Sequence, residues 1–477
     1  MTRPMATSLV FGASATVLVV ELAALRLFAP YVGQSLETFT AIVTVVLAGI
    51  SIGTWVGGRS ADASTDVRRL IGTELVAGGA ATLFVVPVTA VVGDTVAGAG
   101  NTGLVLVAAL TLFLPSALLS AVSPAVVRLA LSSLERTGST VGYFSAVGTA
   151  GAITGSILTG FVLVPVIGTT AILTGTGLVA VLAGGLFRVR RLRGWLGLVN
   201  LIVLATAATV WAGGRCDHET RYYCVQIVQD SPSGRLLVLD DLSHSYVDLE
   251  DPTHLEFTYT RMLAAAIEAE TTGPIAVTFI GGGAYSLPAW LAEVRSDSTS
   301  VVLEVDPGLA EIVADRLPPP AGVPDRLILG DGRVSMRRLA SNSADVVIGD
   351  AFGGKAVPWH LTTFEFANEI DRVLVPDGLY LANLIDGPQL AFVRAMVATL
   401  QQVWPHVGLV TLPQRFETGG NFVVAASHEP LDAEAIQSEN DEFGLDVVVL
   451  VGDELDRFAA DAKVLTDDHA PVDQLLS

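Results

Sequence analysis

Seven apolar runs of bilayer-spanning length fill the first 213 residues and demand a helical membrane bundle there. They fall near 6–30, 39–56, 70–92, 104–129, 141–166, 169–187 and 195–211. This half has no lysine, eleven arginines and seven acids. The first run is too long for a removable signal peptide and lacks a small-residue cleavage site, so it reads as a true span. The arginines sit in alternate connections: Arg59, Arg68 and Arg69, then Arg128 and Arg136, then Arg188, Arg190, Arg191 and Arg193. By the positive-inside rule these loops and the N-terminus face the cytoplasm, and seven spans then leave residues 214–477 on the outer side.

The only cysteines, Cys216 and Cys224, come just after the last run. A lone pair at the mouth of an outer domain fits a disulfide; two buried free thiols in a cytosolic protein is the alternative. The spacing matches no four-ligand zinc pattern, so no metal is expected. Within the spans Glu21, Arg26 and Glu74 are costly and should face the bundle interior. Glu21 and Arg26 stand five apart, so they are not local partners on one helix; Arg26 can snorkel to the interface. Structural roles are the default for all three. Gly151 and Gly155 make a G-x-x-x-G frame, read as close helix packing. No repeat of two similar halves points to a transporter.

The remaining residues hold 16 bases against 41 acids. That balance argues against nucleic acid and is compatible with a cationic substrate, although a solvated acidic surface also explains it. After a β-like stretch over 221–247 and a helix over 254–268, strands are expected at 275–280, 301–305, 326–329, 344–348, 378–383 and 421–426, alternating with helices in a parallel sheet. The first strand ends in Gly281, Gly282 and Gly283; the second ends at Glu304. A nucleotide-type cofactor needs this layout: glycines admit close backbone approach, and the acid takes the ribose hydroxyls. Alone the glycine turn is weak evidence. Asp331-Gly332 and Asp350, closing the next two strands, strengthen it, because ligands sit at the carboxyl ends of such strands.

The segments IGGG, LEVDP, LGDGR, VVIGDAF, PWHLTTFEF and VPDGLY, in that order, resemble the polyamine aminopropyltransferases (spermidine synthases), which share the fold of S-adenosylmethionine-dependent methyltransferases. With the opening ELAALRLFAPYVGQSLETFTAIVTVVLAGISIGTWVGGRSAD and the ending LTDDHAPVDQL, nearly the whole chain is similar to membrane-fused spermidine synthase-like proteins. The resemblance implies an N-terminal all-α multi-span membrane bundle (1–213), a β-rich extension and helix (214–272), and a doubly wound, Rossmann-like α/β domain of methyltransferase type (273–477). It implies Gly281, Gly283, Glu304, Asp331 and Gly332 as donor-binding residues, Asp350 as catalytic base, and Tyr259 and His244 on the substrate side. The co-substrate would be decarboxylated S-adenosylmethionine, or S-adenosylmethionine itself. Expected partners are the lipid bilayer, a small cationic amine and a second copy of the chain; the expected reaction is aminopropyl transfer to an amine.

The departures are specific. Ala284 stands where the family has an acid for the donor's amine end. The Tyr-His-Glu triplet reads Tyr259-Thr260-Arg261; an early glutamine appears as Tyr223 and a later one as His244; the Asp-Pro after the catalytic acid becomes Gly353-Gly354. The adenosine-binding acids survive while amine-binding groups do not, so methyl transfer, or a binding domain without chemistry on a transporter or sensor, stay open. So does the side of the membrane, since the family's donor is cytosolic. The loop 351–360, with Trp359 and His360, could close as a lid, His360 being read as structural. Asp467, Asp468 and His469 are either ligands or a turn docking the tail.

Overall fold

The structure, a computed structural model, describes residues 1–32, 36–96, 100–131, 137–188, 192–212, 216–354 and 356–476. It divides into two compact units, Met1–Cys224 and Val225–Ser477.

The first unit is helical: α1 (Arg3–Val32), α2 (Leu36–Ala63), α3 (Val67–Leu83), α4 (Val85–Val96), α5 (Gly100–Ala130), α6 (Thr137–Leu158), α7 (Thr169–Arg188) and α8 (Leu192–Ala212). Among the described residues six stretches are long and apolar enough to cross a membrane: Arg3–Val32, Leu36–Ala63, Val67–Gly93, Thr102–Ala130, Thr137–Val166 and Thr169–Phe187. The seventh expected run is helical as α8. The third stretch breaks at Phe84, between α3 and α4. Pro87 explains the break: it has no N–H to give the Leu83 carbonyl, and its ring crowds that carbonyl.

Packing here inverts the pattern of a water-soluble bundle. Large apolar side chains such as Trp55, Phe161, Val166 and Leu186 point outward, while small residues meet between helices. The first is consistent with a lipid surround, and close backbone approach explains the second. Gly49, Gly53 and Gly57 of α2 lie against Ser116, Ala117 and Ala121 of α5. A Cβ on Gly53 would land on the Ala117 backbone. The expected close packing at Gly151 and Gly155 is present too, against Phe11 and Ala15 of α1, but the longer α2 frame was not anticipated.

After α8, Cys216 and Cys224 are joined in a disulfide. Arg26 reaches into the loop they close and donates to the carbonyls of Thr220 (2.8 Å) and Arg221 (3.0 Å). Glu219 accepts the N–H of Thr169, the first residue of α7, at 2.7 Å. Arg26 therefore has carbonyl partners in that loop.

In the second unit, β1 (Cys224–Gln229), β2 (Gly234–Leu239) and β3 (Leu242–Asp248) form an antiparallel meander, followed by α9 (Thr258–Glu270). An eight-stranded sheet comes next: β4 (Ala276–Ile280), β5 (Thr299–Glu304), β6 (Arg326–Leu329), β7 (Ala344–Gly349), β8 (Leu374–Asp386), β9 (His406–Thr411), β10 (Gly420–Ser427) and β11 (Val448–Val451). Its order is β11-β9-β10-β8-β7-β4-β5-β6. The five strands from β8 to β6 are parallel, with α10 (Ser286–Val294), α11 (Pro307–Arg316), α12 (Gly332–Met336) and α13 (Phe364–Val373) in the connections.

The expected strand at 421–426 exists as β10 but runs antiparallel to both neighbours, a correction to the all-parallel expectation. The physical reason is its connection. A short link from β9 can only make a hairpin, whereas a parallel return needs a crossover of a dozen residues or more. Neither β9 nor the edge strand β11 was expected from the sequence. The chain winds one way through β4, β5 and β6, then returns to the other side of β4 with β7. The carboxyl ends of β4 and β7 thus flank the switch point, where open α/β sheets hold ligands.

Candidate active site

The glycine turn and Asp350 meet at that switch point. The Asp350 N–H donates to the Ile280 carbonyl at 2.9 Å. Gly281 has φ +97°, and a Cβ there would strike the Asp350 carbonyl, so both conformation and space exclude a side chain. Gly283, at φ +50°, is closed off by the Ser245 hydroxyl from β3.

Glu304 ends β5, and its carboxylate is committed to the backbone. Oε2 accepts the Gly282 N–H and Oε1 the Asp306 N–H, both at 2.9 Å. Burial raises its pKa, while these N–H groups favour the charged form and resist that rise. With the Val305 N–H as a third backbone donor, the carboxylate keeps one lone pair with which to accept a hydroxyl. Asp331 caps α12: Oδ1 accepts the Val334 N–H at 3.0 Å, and Oδ2 lies 2.7 Å from His360 Nε2. Burial alone would raise its pKa, but Val334 and His360 hold it below the usual carboxylate value. Gly332 is buried with its Cα against the Ile280 side chain.

Asp350 is an acid that burial perturbs strongly. Burial pushes it up to about 6, against the opposing hydrogen bonds of Asn383 and Tyr259. Its Oδ1 accepts Asn383 Nδ2 at 2.8 Å. Asn383 Oδ1 in turn accepts Asn421 Nδ2 at 3.0 Å, which fixes the amide so that its NH2 faces the acid. The Tyr259 hydroxyl reaches both the Asp350 carboxylate and, at 3.2 Å, the His244 carbonyl. Burial and the Asp350 charge raise the Tyr259 pKa well above the ordinary value, so it stays a proton donor. Burial lowers His244 to about 4, which leaves its imidazole neutral at pH 7.

These contacts make two groupings. Gly281, Gly282, Gly283 and Glu304 form one, and Asp350, Tyr259 and the His244 backbone form the other. Asp331 and Gly332 close the next strand end, with His360 on Asp331. Asn383 and Asn421 were missed in the sequence. The available signal was an amide in each of two otherwise apolar strands, LANLID and NFVVAAS, since a buried amide must have partners.

The departures also acquire positions. Ala284 is buried, and its N–H donates to Ser245 Oγ at 3.1 Å. Arg261 spends its guanidinium on the carbonyls of Leu255 (2.6 Å) and Glu256 (3.0 Å). Asp467 pairs with both Arg333 amines, at 2.6 and 2.7 Å, and with the Thr363 hydroxyl, so it docks the tail. Tyr223 belongs to the first unit.

A sheet ordered β6-β5-β4-β7-β8-β10-β9, with β10 reversed and a glycine turn after β4, defines a Rossmann-like domain of methyltransferase type. Known proteins narrow the likeness. The chain is 28% identical over 243 residues to a polyamine aminopropyltransferase of Vibrio vulnificus, covering 48% of this chain and 79% of that protein. It is 24% identical over 230 residues to the polyamine aminopropyltransferase of Chromobacterium violaceum, covering 46% and 85%. A solved structure of a probable spermidine synthase from Corynebacterium glutamicum aligns with TM-score 0.48 and 28% identity, over 53% of this chain and 95% of that one. No family model matches the chain. The chain thus resembles the polyamine aminopropyltransferases, as its motifs suggested.

Proposed function

We propose that residues 273–477 form a catalytic domain that transfers an aminopropyl group from a decarboxylated S-adenosylmethionine-type donor to a small amine, with residues 214–272 as its β-rich extension. The observation that carries this reading is Asp350: a carboxylate at the switch point, beside the glycine turn, braced by Asn383 and Tyr259. In such a transfer the neutral amine's lone pair attacks the carbon next to the sulfonium. The C–N bond forms as the C–S bond breaks, and methylthioadenosine leaves as a neutral thioether. The product nitrogen carries one proton too many, and Asp350 accepts it. A carboxylate with a pKa near 6 is mostly ionised at pH 7 and still basic enough to help.

The donor would lie over Gly281 and Gly283, with its ribose hydroxyls on Glu304 and its adenine near Asp331 and Gly332. Tyr259 and His244 would face the amine with neutral groups. Ala284 gives one specific reason to keep methyl transfer as a second reading: it offers no charge to an aminopropyl ammonium. Incubating purified protein with each donor and a panel of amines separates the two. Methylthioadenosine release is expected; S-adenosylhomocysteine instead would establish methyl transfer, and neither product with any amine would leave a binding domain.

The helical unit is proposed to anchor the chain through seven spans. The arginine distribution and the Cys216–Cys224 disulfide both favour an outer location for residues 214–477. A membrane-impermeant thiol reagent on intact cells is expected to label these cysteines only after reduction. Labelling confined to lysed cells would place the domain in the cytoplasm.

A further inference from the structure

The reversed strand β10 begins beside the site. Because it runs against β8, its first residues lie at the carboxyl end of that strand, where a parallel neighbour would place its last. Val423 pairs with Asn383 and Asn421 with Ile385, so the Asn383 and Asn421 side chains share one face of the sheet. Gly419 and Gly420 lead into the strand at φ +71° and +129°, and a Cβ on Gly419 would meet the Asp386 carbonyl. The Asn421 carbonyl also accepts the Thr411 hydroxyl of β9 at 2.9 Å. The start of β10 therefore has little room to shift.

From this position Asn421 Nδ2 reaches Asn383 Oδ1 at 3.0 Å, and Asn383 Nδ2 reaches Asp350 Oδ1 at 2.8 Å. The run is directional. An amide offers its NH2 on one side and its oxygen on the other; an ionised carboxylate only accepts, and a protonated one needs an acceptor for its O–H. Were Asp350 to take a proton, Asn383 could meet it by turning its oxygen over. Asn421 opposes that turn, because its N–H already occupies the oxygen and would then face the Asn383 NH2. The Tyr259 hydroxyl of α9 meets the same carboxylate. Nearby, the His244 imidazole is neutral at pH 7, and Glu304 is taken up by backbone N–H groups. Asp386, at the end of β8, accepts the Gly387 and Val393 N–H at 2.7 and 2.8 Å. Arg415 donates to the Gly419 carbonyl at 3.3 Å.

We propose that Asn421 is a positioning residue: by holding the Asn383 amide with its NH2 toward Asp350, it favours the ionised acid over the protonated one. That bias stands on geometry. Its use in catalysis rests on the transferase reading, since a base must be ionised before it can take a proton.

Infrared titration of the full-length protein in lipid vesicles tests it. The carboxylic C=O stretch of Asp350, identified by its loss in Asp350→Asn, is expected to grow in as pH falls through about 6. In Asn421→Leu the same band should grow in about one pH unit higher, because a hydrogen bond that favours the charged acid is weakened. Asn383→Leu should move it at least as far, and adding Asn421→Leu to Asn383→Leu should move it no further. Asn421→Ala repeats the comparison if leucine disturbs the strand. A band that titrates in both Asn421 variants as in the wild type overturns the proposal, whatever happens to their thermal midpoints. So does a double variant that shifts by the sum of the two singles. The titration needs neither donor nor amine. A shifted band in a protein that releases no methylthioadenosine would remove the transferase reading and leave the positioning role standing.

Discussion

If the proposed aminopropyl transfer holds, Asp350→Asn is expected to lower the rate of methylthioadenosine release on the order of 10²–10⁴-fold, the span expected when a positioned base is removed. Asparagine keeps the size and still meets Tyr259, so the donor's apparent affinity and the thermal midpoint should change little. The pH profile carries the sign. The working form is the carboxylate, and burial raises its pKa from 3.8 to about 6, so the wild-type rate falls as pH drops through about 6. Asn383→Ala removes the hydrogen bond that favours the charged form, and the acid limb moves to higher pH. A purely architectural Asn383 would lower stability and leave the limb in place. Should Asp350→Asn retain a tenth of the wild-type rate, Asp350 is not the base.

Gly53→Leu is expected to disrupt the helical unit. The first added atom falls on the Ala117 backbone, which cannot swing aside as a side chain would, so α2 and α5 must separate along their whole seam. Overpacking costs about 1–3 kcal/mol even where side chains can yield, and more is expected here. Gly142→Leu is the control: nothing lies within 4 Å of a Cβ there, and the position is exposed. Size-exclusion profiles and thermal midpoints in detergent should separate the two, the first aggregating or melting lower and the second matching the wild type. Equal behaviour would mean that the Gly49-Gly53-Gly57 seam is not tight.

Much of this architecture is legible in the chain itself, for reasons that differ by region. The long apolar helices announce themselves because polar residues are few over whole spanning lengths. The β4 turn is legible because only glycine tolerates both φ +97° and the Asp350 carbonyl at position 281. Asp331 and Asp350 stand out as acids closing apolar strands. The reversal of β10 is hidden, because a buried antiparallel strand reads like a buried parallel one and only the short β9–β10 link tells them apart. Asn383 is hidden for a related reason: a single amide shows its value only once the acid it faces is located in space. His360 meets Asp331, yet nothing in the spacing marks that acid, 29 residues earlier, as its partner.

The join between Gly281 and Asp350 bears on how such a site can vary. The turn over which a nucleoside would lie and the strand tip bearing the acid abut backbone to backbone, through Ile280 on one side and the missing Cβ on the other. They form a single block with no slack between them. Tyr259 and His244 come from a separate stretch of chain, the meander and α9, which meets that block through side chains: the Tyr259 hydroxyl at Asp350 and the Ser245 hydroxyl at the turn. Whatever variety such proteins have in what they accept can therefore arise on one wall while the other stays untouched.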